Sequence, residues 1–185
     1  MDVRIHNILL GSRANGPGFR NTVWFQGCTL GCPGCFNPQT HDTSGGYLVD
    51  IGELCQTLLD PKHPCDGVTI SGGEPFRQAK ALHELLQLLK EQNSPTVIVF
   101  SGYSFEKLQI EAECAASLPF IDALICGPYR QDLPPAYDCF CSSSNQELVL
   151  LSNRFHYADF TDLPLGEYII DEKGNAILSG IKVAH

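Results

Sequence analysis

Apolar residues recur along this chain with two alternating periods, and the alternation predicts its architecture. Val3 to Leu10 reads as a first strand, followed by a glycine-rich loop from Gly11 to Arg20 and a second strand from Thr22 to Gln26. Asp50 is placed to cap a helix whose Ile51, Leu54, Cys55 and Leu58 share one face. Gly67 to Ser71 is a short buried strand, and Leu82, Leu85, Leu86 and Leu89 then mark the clearest helix. The β-branched run from Thr96 to Phe100 reads as a central parallel strand, with a helix through Leu108 and Ala115 after it. Ile121 to Ile125 and Glu147 to Leu151 are further strands, and the tail from Tyr168 reads as a β-hairpin turning near Lys173 and Gly174. Strand–helix repetition implies parallel strands joined by right-handed crossovers. The pattern predicts an α/β fold: a partial, open parallel β/α barrel of about five to six strands, short of the ~250 residues of a full barrel. A single domain is expected over residues 1–185, its core at about 10–150 and a hairpin extension at about 151–185.

Composition narrows the function classes. The formal charge of −9, from 21 acidic against 12 basic residues, disfavours nucleic-acid binding by phosphate neutralisation. No apolar run approaches the roughly 18 residues of a membrane span, and the start Met-Asp-Val-Arg-Ile-His lacks the features of a secretory signal. A cytoplasmic protein with neither membrane nor nucleic-acid partner is expected. The nine cysteines are an odd number, which in that compartment points to metal binding and buried thiols, not a disulfide framework.

Cys28, Cys32 and Cys35 stand at C-x3-C-x2-C spacing directly after the second strand. Three thiolates on one short loop can hold one face of a small iron–sulfur cluster and leave a metal position open. Spacing alone leaves two alternatives: a zinc site with His41 as the nearest fourth ligand, and dithiol chemistry at Cys32-Pro33-Gly34-Cys35. Gly72 and Gly73 follow another strand and let backbone approach a ligand closely, while Glu74 and Pro75 start a helix. Both loops are expected at one mouth, at the C-terminal ends of the strands. Arg20 is a candidate anchor for a carboxylate or phosphate, or one partner of a surface ion pair. Cys126, Cys139 and Cys141, with Cys65 or Cys114, are weighed as an auxiliary cluster against buried thiols. His83 reads as a solvated helix residue and His41 as a support for the loop.

Together these residues resemble the radical S-adenosylmethionine (SAM) enzymes, specifically the small activases of glycyl radical enzymes. The motif Cys28-x3-Cys32-x2-Cys35 matches their cluster signature and Gly72-Gly73-Glu74-Pro75 their second signature. Gly16-Pro17-Gly18-Phe19-Arg20 with Trp24-Phe25-Gln26-Gly27-Cys28 is similar to pyruvate formate-lyase activases. Cys35-Phe36-Asn37-Pro38, Ser101-Gly102-Tyr103, Gly127-Pro128-Tyr129 and Ser143-Ser144-Asn145-Gln146 are similar to anaerobic ribonucleotide reductase activases. The resemblance implies a [4Fe–4S] cluster on Cys28, Cys32 and Cys35, with SAM on the fourth iron. It places Gly72, Gly73 and Glu74 toward the SAM amino group, Gly34 and Phe36 beside the adenine, and Ser101 near the ribose or carboxylate. It implies a glycyl radical enzyme as partner and flavodoxin or ferredoxin as electron donor. Three positions depart from the pattern: Gly34 where many relatives carry an aromatic, Cys126 where the reductase activases tend to carry Asp, and Cys139-Phe140-Cys141 where they carry Arg-Gly. A radical SAM enzyme acting on a small molecule or peptide, including the deazaguanine-forming kind, and a non-catalytic metal-binding module are the competing expectations.

Overall fold

A computed structural model describes residues 1–92, 96–135, 140–170, 174 and 176–181. Its elements, in chain order, are β1 (Asp2–Ser12), β2 (Arg20–Phe25), β3 (Tyr47–Asp50), α1 (Ile51–Leu58), β4 (Gly67–Gly72), α2 (Ala79–Glu91), β5 (Thr96–Ser101), α3 (Phe105–Ile110), α4 (Ala112–Ala115), β6 (Ala123–Cys126), β7 (Glu147–Leu150), β8 (Gly166–Ile170) and β9 (Ala176–Gly180). Strands β1 to β7 form one seven-stranded sheet in the order β3-β1-β2-β4-β5-β6-β7, and β8 with β9 form a separate hairpin.

The sheet is mixed. Strands β2, β4, β5 and β6 pair in parallel through helical crossovers, whereas β1 runs antiparallel to both β2 and β3, and β7 runs antiparallel to β6. The expectation of an all-parallel barrel therefore needs correcting at both edges. The glycine-rich connection before β2 is too short for a crossover helix, so it can only return the chain antiparallel. Among the described residues no ladder joins β3 to β7, so the sheet is open. No helix there is long and apolar enough to cross a membrane.

Each face has its own core. Ile51, Leu54 and Leu58 of α1 and Leu82, Leu85, Leu86 and Leu89 of α2 are fully buried against Val23, Phe25, Val68 and Ile70. Asp50 caps α1 by accepting hydrogen bonds from the Gly52 and Glu53 amides. The single helix expected through Leu108 and Ala115 is two, because Glu111 leaves the helical backbone with ψ of 109°. On the opposite face Ile98, Ala123 and Ile125 meet Phe140, Phe155 and Phe160. The ring centroids of Phe155 and Phe160 lie 5.2 Å apart. The hairpin sits over that same face and is tied to the loop after β1: Glu167 accepts from the Arg13 amide, and Asn15 donates to the Ser179 hydroxyl.

Arg20 belongs to this framework and not to a ligand site. It is fully buried at the rung formed by Arg20, Gly67 and Thr96, where β2, β4 and β5 begin. Its guanidinium donates to the Val68, Thr96 and Pro17 carbonyls and to the hydroxyls of Thr69 and Thr96. Those bonds use the donor capacity of the group in full. Burial pulls its pKa down to about 9. Any Cβ at Gly67 would collide with the guanidinium, so glycine makes the space. Replacing Arg20 by Met is expected to lower the unfolding free energy of the apoprotein by about 3 kcal/mol, because buried carbonyls lose their donors. Arg20→Lys should recover only part of it, and an unchanged urea midpoint in the Met variant would remove Arg20 from this role.

Candidate active site

The cysteine loop leaves the C-terminal end of β2 and is closed at its base by backbone bonds. The Gly27 amide donates to the Thr40 carbonyl at 2.8 Å and the Cys28 amide to the His41 carbonyl at 3.1 Å. The buried Gln26 amide group reinforces the closure, donating to the Gln39 and Asp42 carbonyls while His6 Nδ1 meets its oxygen at 3.2 Å. Within the loop the Cys35 amide donates to the Cys32 carbonyl at 3.2 Å, in a turn that needs φ of 68° at Gly34. An aromatic residue is disfavoured at that backbone angle, which accounts for glycine there.

Cys28, Cys32 and Cys35 line one cavity of about 100 Å³, together with Phe36, Gly72, Gly73, Ser101 and Tyr129. The ends of β2, β4 and β5 thus meet at one mouth. Gly34 does not line the cavity; it faces the Gln131 side chain. Phe36 does line it, packed on the Tyr129 ring with centroids 4.8 Å apart. A second cavity of about 240 Å³ adjoins the first, sharing Phe36 and Asn37. Only jointly do the two reach the ~300 Å³ at which ligand pockets begin.

The glycine pair is required first by packing. The Gly73 amide donates to the Phe25 carbonyl at 2.9 Å and the Glu74 amide to the Gly27 carbonyl at 3.0 Å. A Cβ at Gly73 would lie 2.6 Å from the Gly27 oxygen and 3.0 Å from the Thr40 oxygen, both backbone atoms that cannot yield cheaply. Glu74 itself is fully buried and lies outside the cavity lining. Its carboxylate accepts from Ser101 Oγ at 3.0 Å, the Gly102 amide at 2.7 Å and the Phe76 amide at 3.0 Å. It therefore ties the glycine loop to the end of β5, and the side chain it holds in the cavity wall is Ser101.

The donor set fits an iron–sulfur cluster. Soft thiolates suit iron, and the Asn37 amide points at Cys35 Sγ at 3.4 Å, a hydrogen bond that favours a charged sulfur. Burial raises the pKa of Cys28 and Cys35 in the metal-free protein, so metal binding there must release protons. Among the described residues no three His, Cys, Asp or Glu side chains gather around a single ion position. Thiols spread around a cavity match separate irons better than one tetrahedral zinc at ~2.3 Å from each sulfur. His41 contributes a carbonyl to the loop base and its ring does not line the cavity.

The auxiliary cluster is not formed among the described residues. Cys126 is buried on the helical side of the sheet and Cys141 on the opposite side, while Cys114 faces Glu111 and Cys65 approaches the Leu58 carbonyl. Cys139 lies outside the described residues. His83 is packed edge-on against Phe120 and is not a freely solvated side chain. Tyr129, Ser142 and Gln146 also line the cysteine cavity; Tyr129 and Gln146 lie in the motifs quoted above, whereas Ser142 carries no signal in the sequence. Gln146 holds two segments together, donating to the Gly127 carbonyl and accepting from the Ser142 amide.

The chain is similar in sequence to known proteins. The family described as 4Fe-4S single cluster domain matches residues 14–149. The pyruvate formate-lyase-activating enzyme of Clostridium pasteurianum is 42% identical over 106 residues, covering 55% of this chain and 44% of that one. The chain thus spans less than half the length of that relative. The anaerobic ribonucleoside-triphosphate reductase-activating protein of Haemophilus influenzae is 31% identical over 138 residues, covering 71% of this chain and 88% of that one. Among solved structures, QueE from Escherichia coli aligns with a TM-score of 0.47 at 19% identity, over 55% of this chain and 53% of that one.

Burial pushes the Glu74 pKa up from 4.5 to about 7, against the three donors that favour its charged form. The native state then holds this proton more tightly than the unfolded chain does. The resulting stabilisation is complete below the ordinary value of 4.5 and is lost as pH rises through about 7. Glu74→Gln keeps the group neutral at every pH. Urea unfolding of the two apoproteins should therefore show their stability difference moving by about 3 kcal/mol in favour of the variant between roughly pH 5 and pH 8. A constant difference across that range would show that the carboxylate is not buried as described.

Proposed function

The chain belongs to the 4Fe-4S single cluster domain family and to its radical SAM activases of glycyl radical enzymes, and on that premise we propose that it installs a glycyl radical on a partner enzyme. The observation that carries the reading is the meeting of the cysteine loop, the glycine loop and the end of β5 around one cavity. Cys28, Cys32 and Cys35 would hold the [4Fe–4S] cluster, with SAM bound beside them in the same cavity. When bound and reduced, such a cluster would supply the one-electron chemistry that cleaves SAM reductively at its C5′–S bond and so allows a hydrogen atom to be taken from the substrate.

The protein's own part is positioning. The amides of Gly73 and Glu74 are already committed to Phe25 and Gly27, so what this loop would offer an ammonium group is a carbonyl oxygen, the acceptor such a group requires. Ser101 Oγ, which lines the cavity and is oriented by Glu74, would contact the ribose or carboxylate of SAM. Phe36, backed by Tyr129, offers an aromatic face to the adenine and shields the mouth from water. Flavodoxin or ferredoxin is the donor class such a cluster calls for. The relatives named as activators of pyruvate formate-lyase and of anaerobic ribonucleoside-triphosphate reductase support these two enzymes as the first partners to try.

Anaerobic reconstitution is expected to load about four irons per chain. Reduction with dithionite should then release 5′-deoxyadenosine and methionine from SAM. Cys28→Ser, Cys32→Ser and Cys35→Ser should each abolish cleavage, whereas Cys65→Ser should leave it intact. Zinc in place of iron, or cleavage surviving the Cys32 variant, would overturn the reading. Electron paramagnetic resonance with either candidate partner then locates the product radical; a radical on a small molecule and none on protein would replace the activase assignment.

A further inference from the structure

Strand β1 carries an irregularity beside the cysteine loop. Its ladder with β2 pairs Ile5 with Phe25 and Asn7 with Trp24, so His6 is the extra residue of a β-bulge. Neighbouring side chains of a regular strand point to opposite faces, yet His6 and Asn7 both line the larger cavity, as a bulge allows. The half-buried His6 ring meets the Gln26 side chain there, with Nδ1 3.2 Å from Oε1.

The network around Gln26 fixes where the protons are. This side chain is 3% exposed, and its Nε2 donates to the carbonyls of Gln39 at 3.1 Å and Asp42 at 2.7 Å. A flipped amide would set its oxygen against both carbonyls with no proton between them, so one orientation alone satisfies the group. In that orientation Oε1 can only accept, and the group facing it is His6 Nδ1. Neutral His6 therefore carries its proton on Nδ1 and leaves Nε2 as an acceptor.

We propose that His6 is a positioning residue for the cluster cysteines: its Nδ1–H locks the Gln26 amide in the orientation that seals the base of their loop. The inference rests on the cluster reading of Cys28, Cys32 and Cys35. The two carbonyls that Gln26 holds, on Gln39 and Asp42, flank the Thr40 and His41 carbonyls that accept the Gly27 and Cys28 amides. One side chain thus spans the exit and the return of the loop, and His6 is its hydrogen-bond partner from outside that loop. Without the Nδ1–H a buried acceptor loses its donor, and the amide is free to turn away from both carbonyls.

The tautomer is read on the wild-type apoprotein and needs no variant: long-range 1H–15N spectra of the neutral imidazole should place the His6 proton on Nδ1. His6→Asn keeps an N–H where Nδ1 stands, whereas His6→Leu removes it. Hydrogen exchange at the Gly27 and Cys28 amides of the apoprotein should quicken about tenfold in His6→Leu and stay near the wild-type rate in His6→Asn. In the full chain carrying its reconstituted cluster, anaerobic loss of iron to a ferrous-iron chelator should follow the same order. Against a Gln26→Leu background, His6→Leu should change that rate by less than about twofold, because the hydrogen bond is already gone. A proton on Nε2, exchange unaltered by His6→Leu, or an equal His6→Leu effect with and without Gln26 would overturn the proposal. A wild-type chain that loads no four-iron cluster would instead overturn the cluster reading, and the apoprotein measurements would still decide the role of His6.

Discussion

The site depends on one backbone contact between two loops. Where β2 ends, the Phe25 and Gly27 carbonyls accept the Gly73 and Glu74 amides from the loop that follows β4. The approach is so close that no side chain fits at Gly73. Once the loops are joined, the rest follows geometrically. The cysteines lie beside the glycines, and the buried Glu74 side chain reaches the end of β5 and fixes Ser101 and Gly102. Elements separated by tens of residues thus share one wall without contacting each other through a ligand. A buried carboxylate is an expensive fastener, and its raised pKa shows it; three converging donors make it tolerable.

The opposite end of the same strands is fastened by the opposite charge. Arg20 gathers the beginnings of β2, β4 and β5 through carbonyls and hydroxyls, with no acidic partner in hydrogen-bond range among the described residues. Neutral acceptors make its burial bearable because each of its N–H groups finds one, which is what a planar, five-donor group permits and a lysine does not. Both ends of the parallel core are therefore held by single buried ionisable groups. Between them the strands rely on ordinary apolar packing against α1 and α2.

Sequence periodicity revealed what local forces decide. The Asp50 cap, the leucine face of α2 and the β-branched β4 and β5 all follow from residues close in the chain, and each stands where expected. The convergence of Cys28, Cys32 and Cys35 on one cavity is legible for a similar reason, since three thiols on one short loop need no distant partner to come together. Strand direction was not legible at the edges. Nothing local to β1, β3 or β7 states which strand it will pair with, and β3 is only four residues long. The framework roles of Arg20 and Gln26 are not legible because most of their partners are backbone carbonyls, which carry no sequence signature. Glu74 was read as facing a ligand on resemblance alone, and its partners are Ser101 and Gly102 from another strand.

An open sheet is sufficient to position the cysteine loop because that loop is closed on itself. Its base is sealed by Gly27–Thr40 and Cys28–His41 backbone bonds and by the Gln26 side chain, all within or beside the loop. The positions of the cysteines then do not depend on joining β3 to β7. What closure would provide in a full barrel, shelter for the far side of the sheet, comes here from Phe140, Phe155 and Phe160 and from the β8–β9 hairpin. These covers act at different depths. The aromatic layer packs on Ile98, Ala123 and Ile125 and fills its space, whereas the hairpin strand β9 stands off β1 and β2 and leaves a cavity that runs to Phe36. A scaffold of this size therefore keeps its stability on the helical face and at the strand beginnings, and keeps its empty volume beside the cysteines.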